Sequence, residues 1–227
     1  MAEIFTAAFW AEYGGILAEG LLDTLIMVAA STALAYLFGL PMGVICVLTQ
    51  PHGIRPHRPV NAVLGWIINI GRSFPFAILM VALFPVTKLI MGTRLGLRGA
   101  ILPLVVAAAP FVARMVETSL SEVDAGAVEA ALSMGASPLQ IVWKVYLPEA
   151  MPSLILGGSI TLIAIIGYTA IAGMVGAGGL GDLAIRYGHQ RNVPSVMWVT
   201  VLILIVIVQV VQSVFSRLSV RIDKRLK

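Results

Sequence analysis

The sequence predicts an all-α polytopic membrane protein with five transmembrane helices. Three observations carry that reading. Of the 227 residues, 59% are hydrophobic and 11% charged, against roughly 45–50% and ~25% in a soluble domain. The mean hydropathy is +0.97. The few charges are also segregated: residues 24–54, 150–181 and 192–216 carry none, while 60–87 and 99–116 carry one each, Arg72 and Arg114. Each run holds a helix of about 20 residues, the length that crosses ~30 Å of hydrocarbon. So little charge cannot cover a globular surface, which excludes a soluble enzyme. Disorder, a fibrous repeat and a disulfide scaffold are excluded by the same composition, and the single Cys46 has no partner for an internal disulfide.

The expected span cores are 24–48, 64–87, 96–117, 155–176 and 194–216. An odd number places the termini on opposite sides. The segment from 217 to 227 holds five Lys or Arg, whereas the N-terminal segment holds Glu3, Glu12, Glu19 and Asp23 and no base. The positive-inside rule then puts the C-terminus in the cytoplasm and the N-terminus outside. With that topology Arg55, Arg58, Lys144 and the tail lie inside, and Lys88, Arg94, Arg98, Arg186 and Arg191 outside. The net charge of +4 is thus topology rather than a nucleic-acid footprint. The first residues lack a basic n-region and Glu12 and Glu19 interrupt the early apolar pattern, so no cleavable signal peptide is expected.

One long connection, 119–152, falls on the cytoplasmic side. Val128, Ala131, Leu132 and Met134 predict a short helix starting near Val123 or Asp124. Gly135 stops it, because glycine accepts the left-handed conformation after a helix. Ser137-Pro138 is an N-cap and first-turn signal. Leu139, Val142, Trp143 and Tyr146 then share one helical face, and Pro148 is expected to end that helix. Ala130 and Ala131 beside Glu129 permit close approach of another surface, with the carboxylate as an anchor. An amphipathic hairpin resting on headgroups is the plainer reading of the same pattern.

The spacing within this loop is more specific. Glu129-Ala130-Ala131, three residues, Gly135, nine residues, Val145, one residue, Leu147-Pro148 resembles the EAA motif of ABC importer permeases, with Val145 where that family has Ile. The resemblance implies a type I ABC importer permease fold and a coupling helix seated in a separate ATPase subunit. Glu129, Ala130, Ala131, Gly135, Leu147 and Pro148 would be the coupling residues. No lysine is followed by Ser or Thr, so the phosphate-cradling GxxxxGK[ST] loop is missing. The chain is therefore expected to be no enzyme and to hold no cofactor, with ATP and Mg bound by the partner ATPase.

The stretches 69–76, 109–117 and 175–181 are similar to signatures of methionine importer permeases. That resemblance implies a homodimer, two ATPase copies and an extracytoplasmic methionine-binding lipoprotein, all at a bacterial inner membrane. The cargo would be L-methionine and D-methionine. A permease for another small amino acid or organic solute is the alternative within the class. The expected division is an extracytoplasmic segment over 1–19, a permease domain over 20–213 and a cytoplasmic basic tail over 214–227.

Other constellations are weaker. Gly176-x-Gly178-x-x-Gly181 matches a dinucleotide fingerprint but lacks the βαβ context that motif needs. An outer turn is the better reading, with Gly178 in an outer gate. Gly157-Gly158-Ser159 is similar to the nucleophile turn of an intramembrane protease. The histidines are His52, His57 and His189, none placed to serve Ser159, so helix contact through small residues is preferred. Intramembrane charge is by default functional. Arg114 has a structural explanation in Glu117, one turn on, whereas Arg72 with Ser73 and the helix-breaking Pro75 is a candidate for the pathway or an inner gate. Tyr168 and Met174 offer a sulfur-tolerant wall, although simple packing explains both. Histidines and carboxylates form no metal cluster in the sequence.

Overall fold

The computed structural model describes residue 4 and residues 6–223, and among them every regular element is helical. Helix α1 (Ala7–Thr49) runs 43 residues. The Ala-, Leu- and Glu-rich stretch ahead of residue 24 contains good helix formers and no proline, so the helix reaches back well before the expected core. It ends where Pro51 disfavours helical backbone at the residue before it. The connection is tied to the last turn of α1 by Gly53 N–H to Gln50 O (2.9 Å), Arg55 N–H to Leu48 O (2.9 Å) and His57 N–H to Thr49 O (3.1 Å).

The second expected span is not one continuous helix. It consists of α2 (Arg58–Ser73) and α3 (Phe76–Ala82), broken at Phe74 and Pro75, and followed by α4 (Phe84–Met91). Pro75 caps α3 in an extended conformation (φ −61°, ψ 125°), and its carbonyl accepts from the amides of Ile78 and Leu79 at 3.0 Å. Proline pushes its predecessor out of the helical region and cannot itself donate, so the ladder restarts rather than bends. Among the described residues four helices are long and apolar enough to cross a membrane, or five when the broken pair counts as one span.

The third span is α5 (Gly96–Ser121). Two short helices follow, α6 (Ala125–Ser133) and α7 (Pro138–Ile141). After α7 the chain widens into a π turn at Val142–Tyr146 and continues as α8 (Leu147–Met174). Pro148 was expected to terminate a helix, yet Pro138–Met174 is one 37-residue run. The amide of Leu147 bonds Val142 O in the π pattern. The ladder is therefore already displaced where Pro148 brings no N–H, and the helix absorbs it. The chain ends with α9 (Gly179–Leu183), a second π turn (Ala184–Gln190) and α10 (Pro194–Ile222).

Contacts divide the residues into two compact units. The first comprises residues up to 33, 74–107 and 162–211. Its interior gathers Met27, Phe76, Met80, Leu104 and Ala172, with Tyr168 packed against them. A second cluster joins Phe9, Leu17, Leu183 and Val196. The other unit comprises 34–73, 108–161 and the residues from 212 on. There Cys46, Ile68 and Ala113 form the core with Met42 and Leu64. In lipid, helix association depends on close packing more than on apolar burial, and small residues permit it. Gly39 and Gly43 of α1 do this against α5. A Cβ at Gly39 would lie 2.6 Å from Ala109 O, and one at Gly43 2.5 Å from Ala113 O and 2.7 Å from Val116 Cβ.

Candidate coupling and translocation sites

The coupling loop is built from local capping chemistry. Asp124 caps α6 by accepting from Ala127 N–H at 3.1 Å. At the other end Gly135 adopts φ +79°. Its amide bonds Leu132 O at 2.9 Å, and Ala136 N–H bonds Ala131 O at 3.1 Å. This crossed pair is the Schellman arrangement, which satisfies carbonyls left open at a helix end. Ser137 then opens α7 with a capping box: its hydroxyl accepts from Gln140 N–H, and the Gln140 side chain accepts from Ser137 N–H at 2.8 Å.

Burial sorts the motif residues into two groups. Val128, Ala131, Ile141, Val142, Tyr146 and Leu147 are buried, whereas Leu132, Met134, Leu139 and Trp143 are exposed. Met134 is 81% and Trp143 64% exposed. The expected single face of Leu139, Val142, Trp143 and Tyr146 is thus split. The π turn inserts an extra residue per turn, which breaks the 3.6-residue register on which that face was read. Glu129, Ala130, Gly135 and Pro148 are exposed, and Glu129 has no hydrogen-bond or ion-pair partner among the described residues. Ala131, expected to receive another surface, is instead an inward residue. Behind this surface lies a cavity of about 340 Å³ lined in part by Gln50, His52, Ser121, Glu129 and Tyr146.

A polar network that is only partly readable from sequence lies in the same unit. Arg114 donates to Glu117 Oε2 at 2.8 Å and to Asn69 Oδ1 at 2.7 Å. Gln50 donates to Glu117 Oε1 at 3.3 Å. The Arg114–Glu117 pair follows from i,i+3 spacing, but Asn69 and Gln50 are distant in sequence and no periodicity announces them. Asn61 similarly donates to Cys46 O at 2.8 Å.

Arg72, Ser73 and Pro75 are exposed at the α2–α3 break, and the Ser73 hydroxyl donates back to Asn69 O at 2.8 Å. Tyr168 stacks on Phe76, with ring centroids 4.7 Å apart and an interplanar angle of 17°. Met174, in the last turn of α8, is 61% exposed. Gly178 begins α9 with φ +82° and lines a cavity of about 340 Å³ with Glu19, Asp23, Asp182 and Arg186. Asp182 and Arg186 form an ion pair at 2.6 Å. Sequence reasoning missed Thr24, which anchors this glycine-rich turn. Its buried hydroxyl accepts from Leu180 N–H and donates to Gly20 O, both at 2.9 Å. A threonine at the first position of a charge-free run was the available signal.

At Gly158, Phe215 and the Tyr36 hydroxyl lie 3.2 and 3.4 Å from where a Cβ would stand, so the small residues beside Ser159 serve helix contact. The dinucleotide reading of 176–181 finds no strand among the described residues. No group of three or more His, Cys, Asp or Glu suited to a metal ion occurs among them either.

Comparison with known proteins is consistent across sequence and structure. Residues 35–227 match the family model described as "Binding-protein-dependent transport system inner membrane component". The chain is 50% identical over 219 residues to the probable D-methionine transport system permease protein MetI of Vibrio cholerae, covering 96% of this chain and 97% of that relative. It is 46% identical over 178 residues to the methionine import system permease protein MetP of Bacillus subtilis, covering 78% and 80%. Among solved structures, an inward-facing MetNI methionine ABC transporter superposes with a TM-score of 0.92 at 42% identity, over 93% of this chain and 98% of that one. Matched over this length by family, relatives and fold, the chain belongs to the inner-membrane components of binding-protein-dependent transport systems, as a multi-pass ABC importer permease.

Proposed function

We propose that this chain is the translocation subunit of a methionine importer that moves L- and D-methionine across the bacterial cytoplasmic membrane by alternating access. It acts as a homodimer with two ATPase subunits and receives cargo from an extracytoplasmic methionine-binding lipoprotein. The N-terminus lies outside and the C-terminus in the cytoplasm. ATP and Mg reside on the ATPase, and this chain performs no catalysis. The named relatives support the cargo assignment, since each is a methionine permease by name.

The observation that carries the coupling role is the loop surface itself. Leu132, Met134, Leu139 and Trp143 are large, apolar and exposed on the loop that carries Glu129. Exposed apolar side chains on one loop with a charge that has no partner among the described residues support a docking role. Closure of the two ATPases on ATP would draw the paired loops together and open the spans outward; hydrolysis would reverse this. Residues at the α2–α3 break (Arg72, Ser73, Pro75), mid-span residues Tyr168 and Met174, and Gly178 at the outer turn are the pathway and gate candidates.

The test is reconstitution in vesicles with the ATPase and binding lipoprotein, measuring ATP-dependent uptake of radiolabelled methionine. Wild type is expected to accumulate methionine. Glu129→Lys is expected to lose co-purification of the ATPase and uptake together. Normal uptake by Glu129→Lys overturns the coupling assignment, and an active complex that ignores methionine overturns the cargo.

A further inference from the structure

We propose that a groove between α1 and α7 is a binding site for an anionic phospholipid. Its floor is Pro41, Val44, Ile45 and Leu48, which recur at i, i+3, i+4 and i+7 and so form one stripe along α1. Pro138 and Leu139 at the start of α7 form the facing wall. The groove has a volume of about 430 Å³, and among the described residues the only polar side chains lining it are Arg55 and Ser137. Ser137 is engaged in the capping box of α7. Arg55 is exposed, and its guanidinium has no partner among the described residues.

Three features select a lipid over other occupants. The stripe spans seven residue rises, about 10 Å, against ~15 Å for the hydrocarbon of one leaflet, so about two-thirds of an acyl chain, the part next to the headgroup, lies along it. Arg55 is the first charge after the uncharged run 24–54 and therefore stands at the boundary where headgroups begin. Its backbone is fixed there by the Arg55 N–H bond to Leu48 O at 2.9 Å, so the cation sits at the mouth of the stripe rather than on a free loop. Among the described residues no acidic side chain lines the groove to neutralise it. Apolar length ending in one preplaced cation is complementary to an acyl chain ending in a phosphate. Because Pro138 and Leu139 belong to the loop proposed to meet the ATPase, the bound lipid would brace that loop against α1.

Native mass spectrometry of the full chain purified with its ATPase tests this, using equal amounts of dioleoyl phosphatidylglycerol and dioleoyl phosphatidylcholine. A single basic side chain near an anionic lipid surface is worth about a fivefold preference. Wild type is expected to retain phosphatidylglycerol over phosphatidylcholine by about that factor, and Arg55→Gln to lose the preference. Arg58→Gln, outside the groove, should keep it. Val44→Trp fills the groove and should reduce retention of both lipids, with Ile45→Trp as the second variant if that chain fails to accumulate. The proposal is overturned if Arg55→Gln keeps the preference, if Arg58→Gln removes it equally, or if the tryptophan leaves retention unchanged. Lipid is counted on the permease itself, so loss of the ATPase, which bears on the coupling role, is read separately.

Discussion

Replacing Gly135 tests whether its backbone conformation, rather than its small size, shapes the coupling loop. The residue sits at φ +79°, and nothing lies within 4 Å of the place its Cβ would occupy. Gly135→Ala therefore meets no clash and keeps both Schellman bonds. Its cost is that of an L-residue in the left-handed region, about 1–2 kcal/mol. Gly135→Pro is different in kind. Proline holds φ near −65° and has no N–H, so the bond to Leu132 O is lost, and Met134 is pushed out of its near-helical backbone. The turn cannot form, at a cost of roughly 3 kcal/mol or more. Apparent affinity scales with the fraction of loop in the competent shape. The alanine variant is therefore expected to weaken ATPase binding by at most ~5–30-fold and the proline variant by at least ~100-fold. The assay is titration of labelled ATPase onto the permease in nanodiscs. Proline within twofold of wild type, or alanine as damaging as proline, refutes the reasoning.

Two further predictions concern packing. Gly43→Ala places a Cβ 2.5 Å from Ala113 O and should destabilise the detergent-solubilised protein by about 1–3 kcal/mol through overpacking. Gly65→Ala, with open space around it, should instead be neutral or gain up to ~1 kcal/mol of helix propensity; equal shifts in thermal unfolding would contradict the α1–α5 contact. Thr24→Val keeps the shape but strands the buried Leu180 N–H, at about 1–3 kcal/mol. Thr24→Ser should restore most of that stability, which the same unfolding assay reads.

The features legible in the sequence are those set by local chemistry. Asp124, Gly135 and Ser137 cap helices through their own side chains or backbone, so their neighbours in sequence suffice to place α6 and α7. The runs without charge located the spans for the same reason. Three things escaped. The π turn at Val142–Tyr146 leaves no compositional mark, yet it splits the face on which Trp143 and Tyr146 had been placed and lets Pro148 sit inside a helix. Proline in a membrane span is compatible with a bend or a break, and only the extended backbone at Pro75 decides for a break. The Arg114–Asn69 bond joins residues 45 apart, a tertiary choice that no periodicity encodes.

The two intramembrane arginines, alike in sequence, part company in three dimensions. Arg114 is 30% exposed and has both Glu117 and Asn69 as partners, so its charge is met within the chain and structure alone accounts for it. Arg72 is exposed in the last turn of α2 with no partner among the described residues. An uncompensated guanidinium facing hydrocarbon is costly, and such residues face water, a charge or a bundle interior instead. Water in a pathway or a second copy of the chain would each meet that charge. Either would suit the pathway or gate role proposed for Arg72 and Ser73, whereas Arg114 needs no such role to explain its charge.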